Sequence, residues 1–286
     1  MDGFIIVNKP KDMTSHDVCN IMRKVLHTKK VGHSGTLDPL ATGVLVIGVG
    51  KATKLLNYLE NQKKRYCAEV LFGLKTDSYD ILGNVLNMDE EFEPLNQQID
   101  EALIKLKETT SQIPPIYSAI KVNGKKLYDY AKNGEKVEIL PRPIKIDYLK
   151  RVSDVIDKKV LIEVEANKGF YVRSLVNDLG EMLNSCAVMS DLKRTKAGNY
   201  DISMSQTLED IKENGAKIYS IEEVFGHLQK IEVNDYIKKL VLNGITLDQR
   251  QFQDDEIFRI YHDNKLIAIY EPFEDKKYRL VVKMED

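Results

Sequence analysis

The stretch of residues 32–43 holds the side chains whose types and spacing could best do chemistry. It reads Gly-His-Ser-Gly-Thr-Leu-Asp-Pro-Leu-Ala-Thr-Gly and places one carboxylate, Asp38, in a turn that Pro39 stiffens. Its three glycines allow other backbone or a ligand to come close. A single carboxylate in a rigid loop suits covalent or acid–base chemistry better than metal binding. The alternative interpretation is an ordinary Gly/Pro-rich surface turn.

The same twelve residues resemble the catalytic loop of the TruB-type pseudouridine synthases, which isomerise a uridine in the T arm of tRNA. The family pattern is Gly-His-x-Gly-x-Leu-Asp-Pro-x-Ala-x-Gly, and its nucleophilic aspartate aligns with Asp38. A chance surface turn would have to reproduce this whole pattern. The resemblance therefore implies a nucleophilic role for Asp38.

Four further segments match the family in the expected order, at residues 8–10, 64–66, 168–175 and 192–198. Through them the resemblance implies that Arg173 pairs with the catalytic aspartate and that Leu192 lines the base pocket. The departures are small: Phe170 stands where threonine is common, and Val172 where isoleucine is common. Neither side chain carries chemistry, so the assignment stands.

Three aromatic or cyclic side chains are expected at the uridine. By resemblance, Tyr66 stacks on the base and acts as general base, and Tyr171 is a second contact. On the residues alone, a place in the hydrophobic core is the favoured interpretation for each tyrosine. The resemblance also implies that His33 lies beside the extruded nucleotide. Chemistry on a base in a folded arm requires such extrusion. Lys9 is a secondary substrate-binding candidate.

Isomerisation of uridine imports no group and oxidises nothing, so no cofactor is expected. The N1–C1′ bond breaks, the uracil rotates, and the base rejoins the sugar through C5. A carboxylate can serve as both nucleophile and leaving group, as in retaining glycosidases. The residues leave open whether Asp38 attacks C1′ or C6. No second ligand stands at a metal-binding spacing from His33, so no metal site is expected.

An RNA-binding surface is predicted in spite of a net charge of −2, because charge is segregated along the chain. Residues 87–112 carry seven acidic and two basic side chains, whereas residues 113–151 carry four acidic and nine basic ones. Within the latter, residues 113–140 resemble the RNA-clasping insertion of the stand-alone bacterial enzymes. The candidates for contacts with the RNA backbone are Lys121, Lys125, Lys126, Lys132, Lys193 and Arg194.

The periodicity predicts an α+β fold with a mixed or antiparallel sheet. Strands are expected at 3–7, 44–49, 66–72 and 160–166. Helices are expected after a cap at Thr14 or Ser15, at 52–59, at 96–107 and at 171–183. After residue 220 the sequence pattern changes to one dominated by short strands. We expect a catalytic domain at 1–225 and a small β-rich, PUA-like domain at 226–286, with a hairpin turn at Asp263-Asn264.

The composition is that of a cytoplasmic protein: no apolar run is long enough to cross a membrane, and the N-terminus lacks a signal-peptide pattern. The expected partner is the T-arm stem-loop of tRNA, bound by a monomer with no obligatory protein partner. Two alternatives stay open, a non-catalytic tRNA-folding chaperone and a catalytic subunit that depends on a guide RNA. A glycosidase is more distant, because no convincing second carboxylate stands out.

Overall fold

The computed structural model of the chain describes residues 1–252, 255–274 and 276–285. Its strands are β1 (Gly3–Lys9), β2 (Val31–His33), β3 (Thr42–Val49), β4 (Lys64–Phe72), β5 (Leu74–Thr76), β6 (Val85–Met88), β7 (Ser111–Gln112), β8 (Lys121–Val122), β9 (Lys125–Lys126), β10 (Arg142–Pro143), β11 (Ile146–Arg151), β12 (Lys159–Ala166), β13 (Ala187–Ala197), β14 (Tyr200–Asp201), β15 (Gln229–Glu232), β16 (Leu247–Asp248), β17 (Phe258–His262), β18 (Lys265–Glu274) and β19 (Lys277–Lys283).

The α-helices are α1 (Ser15–Val25), α2 (Leu56–Glu60), α3 (Asn96–Lys107), α4 (Leu127–Lys132), α5 (Val172–Met182), α6 (Leu208–Asn214), α7 (Ile221–Val224) and α8 (Asp235–Leu242), with short 3-10 helices at Gly50–Leu55 and Ile202–Met204. Helix α1 begins as its sequence predicts. Thr14 and Asp17 form a capping box, in which each backbone N–H donates to the other side chain.

An eight-stranded sheet positions the residues of interest. Its order is β1-β3-β13-β4-β12-β11, with β2 beside β3 and β14 beside β13. The pair β3–β13 is parallel, and the other neighbouring pairs are antiparallel. The predicted mixed sheet is therefore confirmed. One face packs against α1, α3 and α5 in the larger hydrophobic core.

Several elements differ from the sequence prediction, among them one predicted helix and one central strand. The expected helix at 52–59 is a 3-10 helix followed by the short α2. The central strand β13 was not predicted as a strand, because Lys193, Arg194 and Lys196 interrupt its apolar residues. Its buried positions include Leu192 and Arg194, so a guanidinium occupies a position that a strand pattern usually gives to an apolar side chain.

A second, five-stranded sheet lies within residues 226–286 and has the order β15-β17-β18-β19-β16. The hairpin between β17 and β18 turns at Asp263 and Asn264, which both have positive φ, at 50° and 59°. This confirms the predicted hairpin. The boundary between residues 225 and 226 stays a prediction. No helix in the described ranges is long and apolar enough to cross a membrane.

Candidate functional site

The loop between β2 and β3 carries Asp38 and is fixed by three hydrogen-bond contacts. The buried hydroxyl of Ser15, at the start of α1, accepts from the Leu37 N–H at 2.8 Å and contacts the Leu37 carbonyl at 3.2 Å. The Pro39 carbonyl accepts from the backbone N–H of Asp12 at 2.9 Å. These contacts hold the loop on both sides of Asp38, so the carboxylate has a defined position.

Arg173 meets Asp38 at this loop. Arg173 is the second residue of α5, and its Nε lies 3.0 Å from Oδ2 of Asp38. The Arg173 side chain is 7% exposed and that of Asp38 is 37% exposed, so the guanidinium is buried while the carboxylate remains accessible to solvent. The sequence interpretation required this pairing between distant segments, and the structure contains it.

Asp80 is a second carboxylate at the same guanidinium, and sequence reasoning missed it. Its Oδ2 lies 3.6 Å from Nη1 of Arg173. The Asp80 carboxylate also accepts from the Ser78 hydroxyl at 2.8 Å and from the Leu82 N–H at 3.1 Å. The prediction that the chain has no convincing second carboxylate was therefore wrong. Asp80 was missed because residues 76–84 look like a polar turn in the sequence.

The ionisation of Asp38 depends on this arrangement. Burial raises the pKa of Asp38 above its ordinary value, Arg173 lowers it, Asp80 raises it, and Lys9 lowers it. The net direction is upward, so Arg173 offsets the effect of burial only in part. Loss of the guanidinium would therefore favour the neutral acid, which is a poor nucleophile.

The other predicted pocket residues surround the same core region. Tyr66 on β4 is opposite Arg194 of β13, and Ala68 is opposite Leu192, so Tyr66 and Leu192 lie on one face of the sheet. Tyr66 is half-buried and packs against the larger hydrophobic core, whose members include Leu192 and Leu37 of the loop. The register thus places Tyr66 and Leu192 on the face of the sheet that borders this core.

Tyr171 and His33 are both half-buried. Tyr171 directly precedes α5, two residues before Arg173, and burial raises the pKa of its phenol. His33 ends β2, directly before the loop. Burial, followed by the charge of Arg194, lowers the pKa of His33, so its ring is neutral near pH 7. A neutral, flat ring at this place can pack against a base.

Two family models together match residues 23–242 of the chain. Residues 23–172 match the TruB family pseudouridylate synthase (N terminal domain), and residues 173–242 match the tRNA pseudouridylate synthase B C-terminal domain. The chain belongs to the TruB family.

Curated relatives match at least 94% of the chain. The "tRNA pseudouridine synthase B" of Clostridium tetani is 39% identical over 275 residues, covering 94% of this chain and 95% of the relative. Proteins of the same name from Caldanaerobacter subterraneus and Staphylococcus saprophyticus are each 40% identical, with 94% and 96% of both chains covered. Membership of the TruB family makes the chain a pseudouridine synthase.

Solved structures show the same fold. A chain in "Crystal Structure of a Cbf5-Nop10-Gar1 Complex" aligns with a TM-score of 0.71 and 24% identity, covering 99% of this chain and 84% of that one. A chain in "Structure of H/ACA RNP bound to a substrate RNA containing 2'-deoxyuridine" aligns with a TM-score of 0.68 and 22% identity, covering 98% and 84%. The predicted α+β pseudouridine synthase fold is confirmed.

Lys9 lies buried beneath the Asp38 loop. Its side chain is fully buried, and its ammonium donates to the carbonyls of Pro10 at 2.8 Å, Met13 at 2.5 Å and Pro39 at 3.3 Å. Burial lowers the pKa of Lys9 to about 8, although Asp38 raises it. The proposed substrate contact is therefore corrected: Lys9 supports the loop from beneath.

Arg194 is also wrongly assigned as an RNA-backbone contact. Its side chain is only 1% exposed, and it donates to the carbonyl of Val44 at 2.7 Å and to that of Gly35 at 3.3 Å. These two carbonyls flank the Asp38 loop. Gly43 pairs with Arg194 so closely that a Cβ there would lie 2.3 Å from the Arg194 carbonyl, and its φ is +103°. Arg194 holds the loop and cannot reach a phosphate.

The remaining candidate contacts are accessible. Lys121, Lys126, Lys132 and Lys193 are exposed. Lys125 is half-buried, pairs with Glu135, and lies 4.7 Å from the centre of the Tyr130 ring. Their role in RNA binding stays a prediction. In the described part of the chain, no group of three or more His, Cys, Asp or Glu side chains could hold a metal ion.

Proposed function

We propose that this TruB-family enzyme converts uridine-55 in the T arm of tRNA to pseudouridine, with Asp38 as the nucleophile. The observation that carries the proposal is the 3.0 Å contact between Arg173 and the partly exposed carboxylate of Asp38. The substrate follows from the relatives named tRNA pseudouridine synthase B, which are 39–40% identical over at least 94% of this chain.

The chemistry begins with extrusion of the uridine from the folded arm toward Asp38. Asp38, whose negative charge Arg173 stabilises, attacks the nucleotide, and the N1–C1′ bond breaks. The uracil then rotates, C5 bonds to C1′, and the bond between Asp38 and the nucleotide breaks, which frees the carboxylate. Attack at C1′ and attack at C6 both use the same carboxylate in the same place.

Tyr66 completes the reaction in this proposal. After C5 has joined the sugar, its proton must leave to restore the aromatic base, and N1 takes up a proton from solvent, so atoms balance. A phenol offers both a flat surface for stacking and a titratable oxygen. Tyr66 is half-buried on the face of the sheet that it shares with Leu192, which supports a role for both at the base.

RNA binding would use the exposed lysines of residues 113–140 together with Lys193. The 113–140 segment contains the β8–β9 hairpin and α4, with its lysines interleaved with tyrosines. Phosphate contacts give affinity without sequence information, whereas stacking suits unpaired bases. We expect these lysines to contribute affinity rather than to select the uridine.

Two alternatives are weighed against this proposal. A guide-RNA-dependent subunit is suggested by the complexes among the solved structures, but their identity is 22–24% and they inform the fold alone. A non-catalytic tRNA chaperone would need no Asp38–Arg173 pair. The higher identity of the stand-alone relatives favours a single-chain enzyme.

The test is release of tritium from a T-arm stem-loop labelled at C5 of uridine, incubated with the purified chain and no other component. We expect full release from the labelled uridine-55, and none from a stem-loop whose label lies only at other uridines. A chain that binds the RNA but releases no tritium would support the chaperone. A chain that becomes active only after a guide RNA and partner proteins are added would support the second alternative.

A further inference from the structure

The base of the 113–140 segment is bonded directly to the start of α5. Gln112 accepts from the N–H of Tyr171 at 2.9 Å and donates to its carbonyl at 3.1 Å. The hydroxyl of Ser174 donates to the carbonyl of Ile113 at 2.8 Å. These bonds bracket Arg173 in sequence. Displacement of the base of this segment would therefore shift the guanidinium of Arg173.

Tyr117 adds a contact to the guanidinium itself. Its carbonyl accepts from Nη2 of Arg173 at 3.0 Å, while Nη1 donates to the carbonyl of Ser78 at 3.3 Å. The hydroxyl of Tyr117 donates to Oδ2 of Asp77, the neighbour of Ser78, at 3.1 Å. Arg173, Ser78, Asp77 and Tyr117 thus form a closed ring of hydrogen bonds and peptide links.

The bond that closes the ring is charge-assisted. Burial raises the pKa of Asp77, but hydrogen bonds donated by Asn84 and Tyr117 more than offset it, so the pKa lies below its ordinary value. Burial and the bond to Asp77 raise the pKa of Tyr117, which keeps its hydroxyl protonated as the donor. A hydrogen bond to an ionised acceptor is stronger than one between neutral groups.

We propose that Tyr117 is a positioning residue, whose bond to Asp77 keeps its carbonyl on Arg173 and so couples the RNA-clasping segment to the nucleophile. The inference rests on the proposed function, in which residues 113–140 clasp RNA. Engagement of the segment by RNA and the orientation of Arg173 toward Asp38 then become linked. If a bound RNA leaves the segment displaced, Arg173 lacks the Tyr117 carbonyl as one of its hydrogen-bond acceptors.

The decisive variant is Tyr117→Phe, which removes only the hydroxyl and retains the ring. Tyr128→Phe is the matched control, because its ring packs edge-on against Tyr117 at 6.1 Å while its hydroxyl is outside the hydrogen-bonded ring. For each variant we would measure the dissociation constant for the T-arm stem-loop, the single-turnover rate of tritium release, and the melting temperature.

The expected result is a fall in the single-turnover rate of Tyr117→Phe by about threefold to tenfold, the worth of one hydrogen bond. Its dissociation constant should stay within about twofold of wild type, because the hydroxyl is bonded to Asp77 rather than placed for RNA. Tyr128→Phe should match wild type in both. A merely structural role would lower the melting temperature without this separation of rate from binding.

The pH profile gives a second readout. The charged groups at Asp38 are Arg173, Asp80 and Lys9, and Arg173 is the one that the substitution loosens. A weaker hold by Arg173 raises the pKa of Asp38, so the acidic limb of the rate profile should move to higher pH in Tyr117→Phe. An unchanged rate and profile would overturn the inference, and so would a defect confined to RNA affinity. Inactive wild-type enzyme would instead refute the proposed function.

Discussion

Arg173 stands within reach of both Asp38 and Asp80: its Nε lies 3.0 Å from the first carboxylate and its Nη1 lies 3.6 Å from the second. The two aspartates differ in their surroundings. Asp80 is held by Ser78 and Leu82, whereas the Asp38 side chain is more exposed to solvent. One guanidinium can therefore be oriented by Asp80 while it serves Asp38.

This relationship predicts the effect of Asp80→Asn. The amide keeps the size of the carboxylate but removes the charge that helps to orient Arg173. We expect the single-turnover rate of isomerisation to fall by about tenfold to a hundredfold, since small misplacements of catalytic groups carry such costs. RNA affinity should be unchanged. Asp157→Asn, on an exposed loop, is the control, and a wild-type rate in Asp80→Asn would contradict the orienting role.

The buried ammonium of Lys9 predicts a pH dependence of stability. Its pKa is lowered by burial to about 8 in the folded state, against 10.5 in an unfolded chain. The unfolded state therefore binds more protons between these values, and stability rises with pH across that window. Because of Lys9, the free energy of unfolding should increase by about 2–3 kcal/mol as the pH rises from 8 to 10.5.

The measurement compares denaturant unfolding of wild type and Lys9→Met across that range. The difference in unfolding free energy between them should change with pH by the amount given above. The exposed Lys11→Met is the control and should follow wild type. A difference that stays constant from pH 8 to pH 10.5 would show that Lys9 is not titrating inside the fold.

Arg194 and Lys193 are neighbours that should behave oppositely. Lys193 is exposed, so Lys193→Ala should weaken RNA binding and reduce the slope of log affinity against log salt by about one. Arg194→Ala should leave that slope unchanged and lower the free energy of unfolding by about 2–4 kcal/mol, because the Val44 and Gly35 carbonyls lose their donor. Equal salt slopes for Arg194→Ala and Lys193→Ala would contradict this division.

Much of this site could be predicted from sequence, but for different reasons in different places. Asp38 and Arg173 were found because each lies in a motif that resembles a known family. The strand alternation of residues 192–194 could have shown that Arg194 shares the buried face with Leu192, while Lys193 points outward. The basic cluster concealed this signal, and Arg194 was read as surface.

Other contacts could not be derived from one sequence. Asp80 lies in a polar loop, and only the fold brings it to Arg173. Ser15 was expected only as a possible helix cap, yet its hydroxyl fixes Leu37 in the catalytic loop. Lys9 reads as an accessible cation after a strand until three carbonyls are seen around its ammonium. Each of these contacts joins segments that are remote in sequence.

The most direct test of the account is Asp38→Asn, assayed in a single turnover with saturating enzyme and C5-tritiated T-arm RNA. Asparagine keeps the size and can still accept from Arg173, but it is no nucleophile. We predict a dissociation constant within about twofold of wild type and no detectable tritium release. Release at a rate within about tenfold of wild type would contradict nucleophilic catalysis by Asp38.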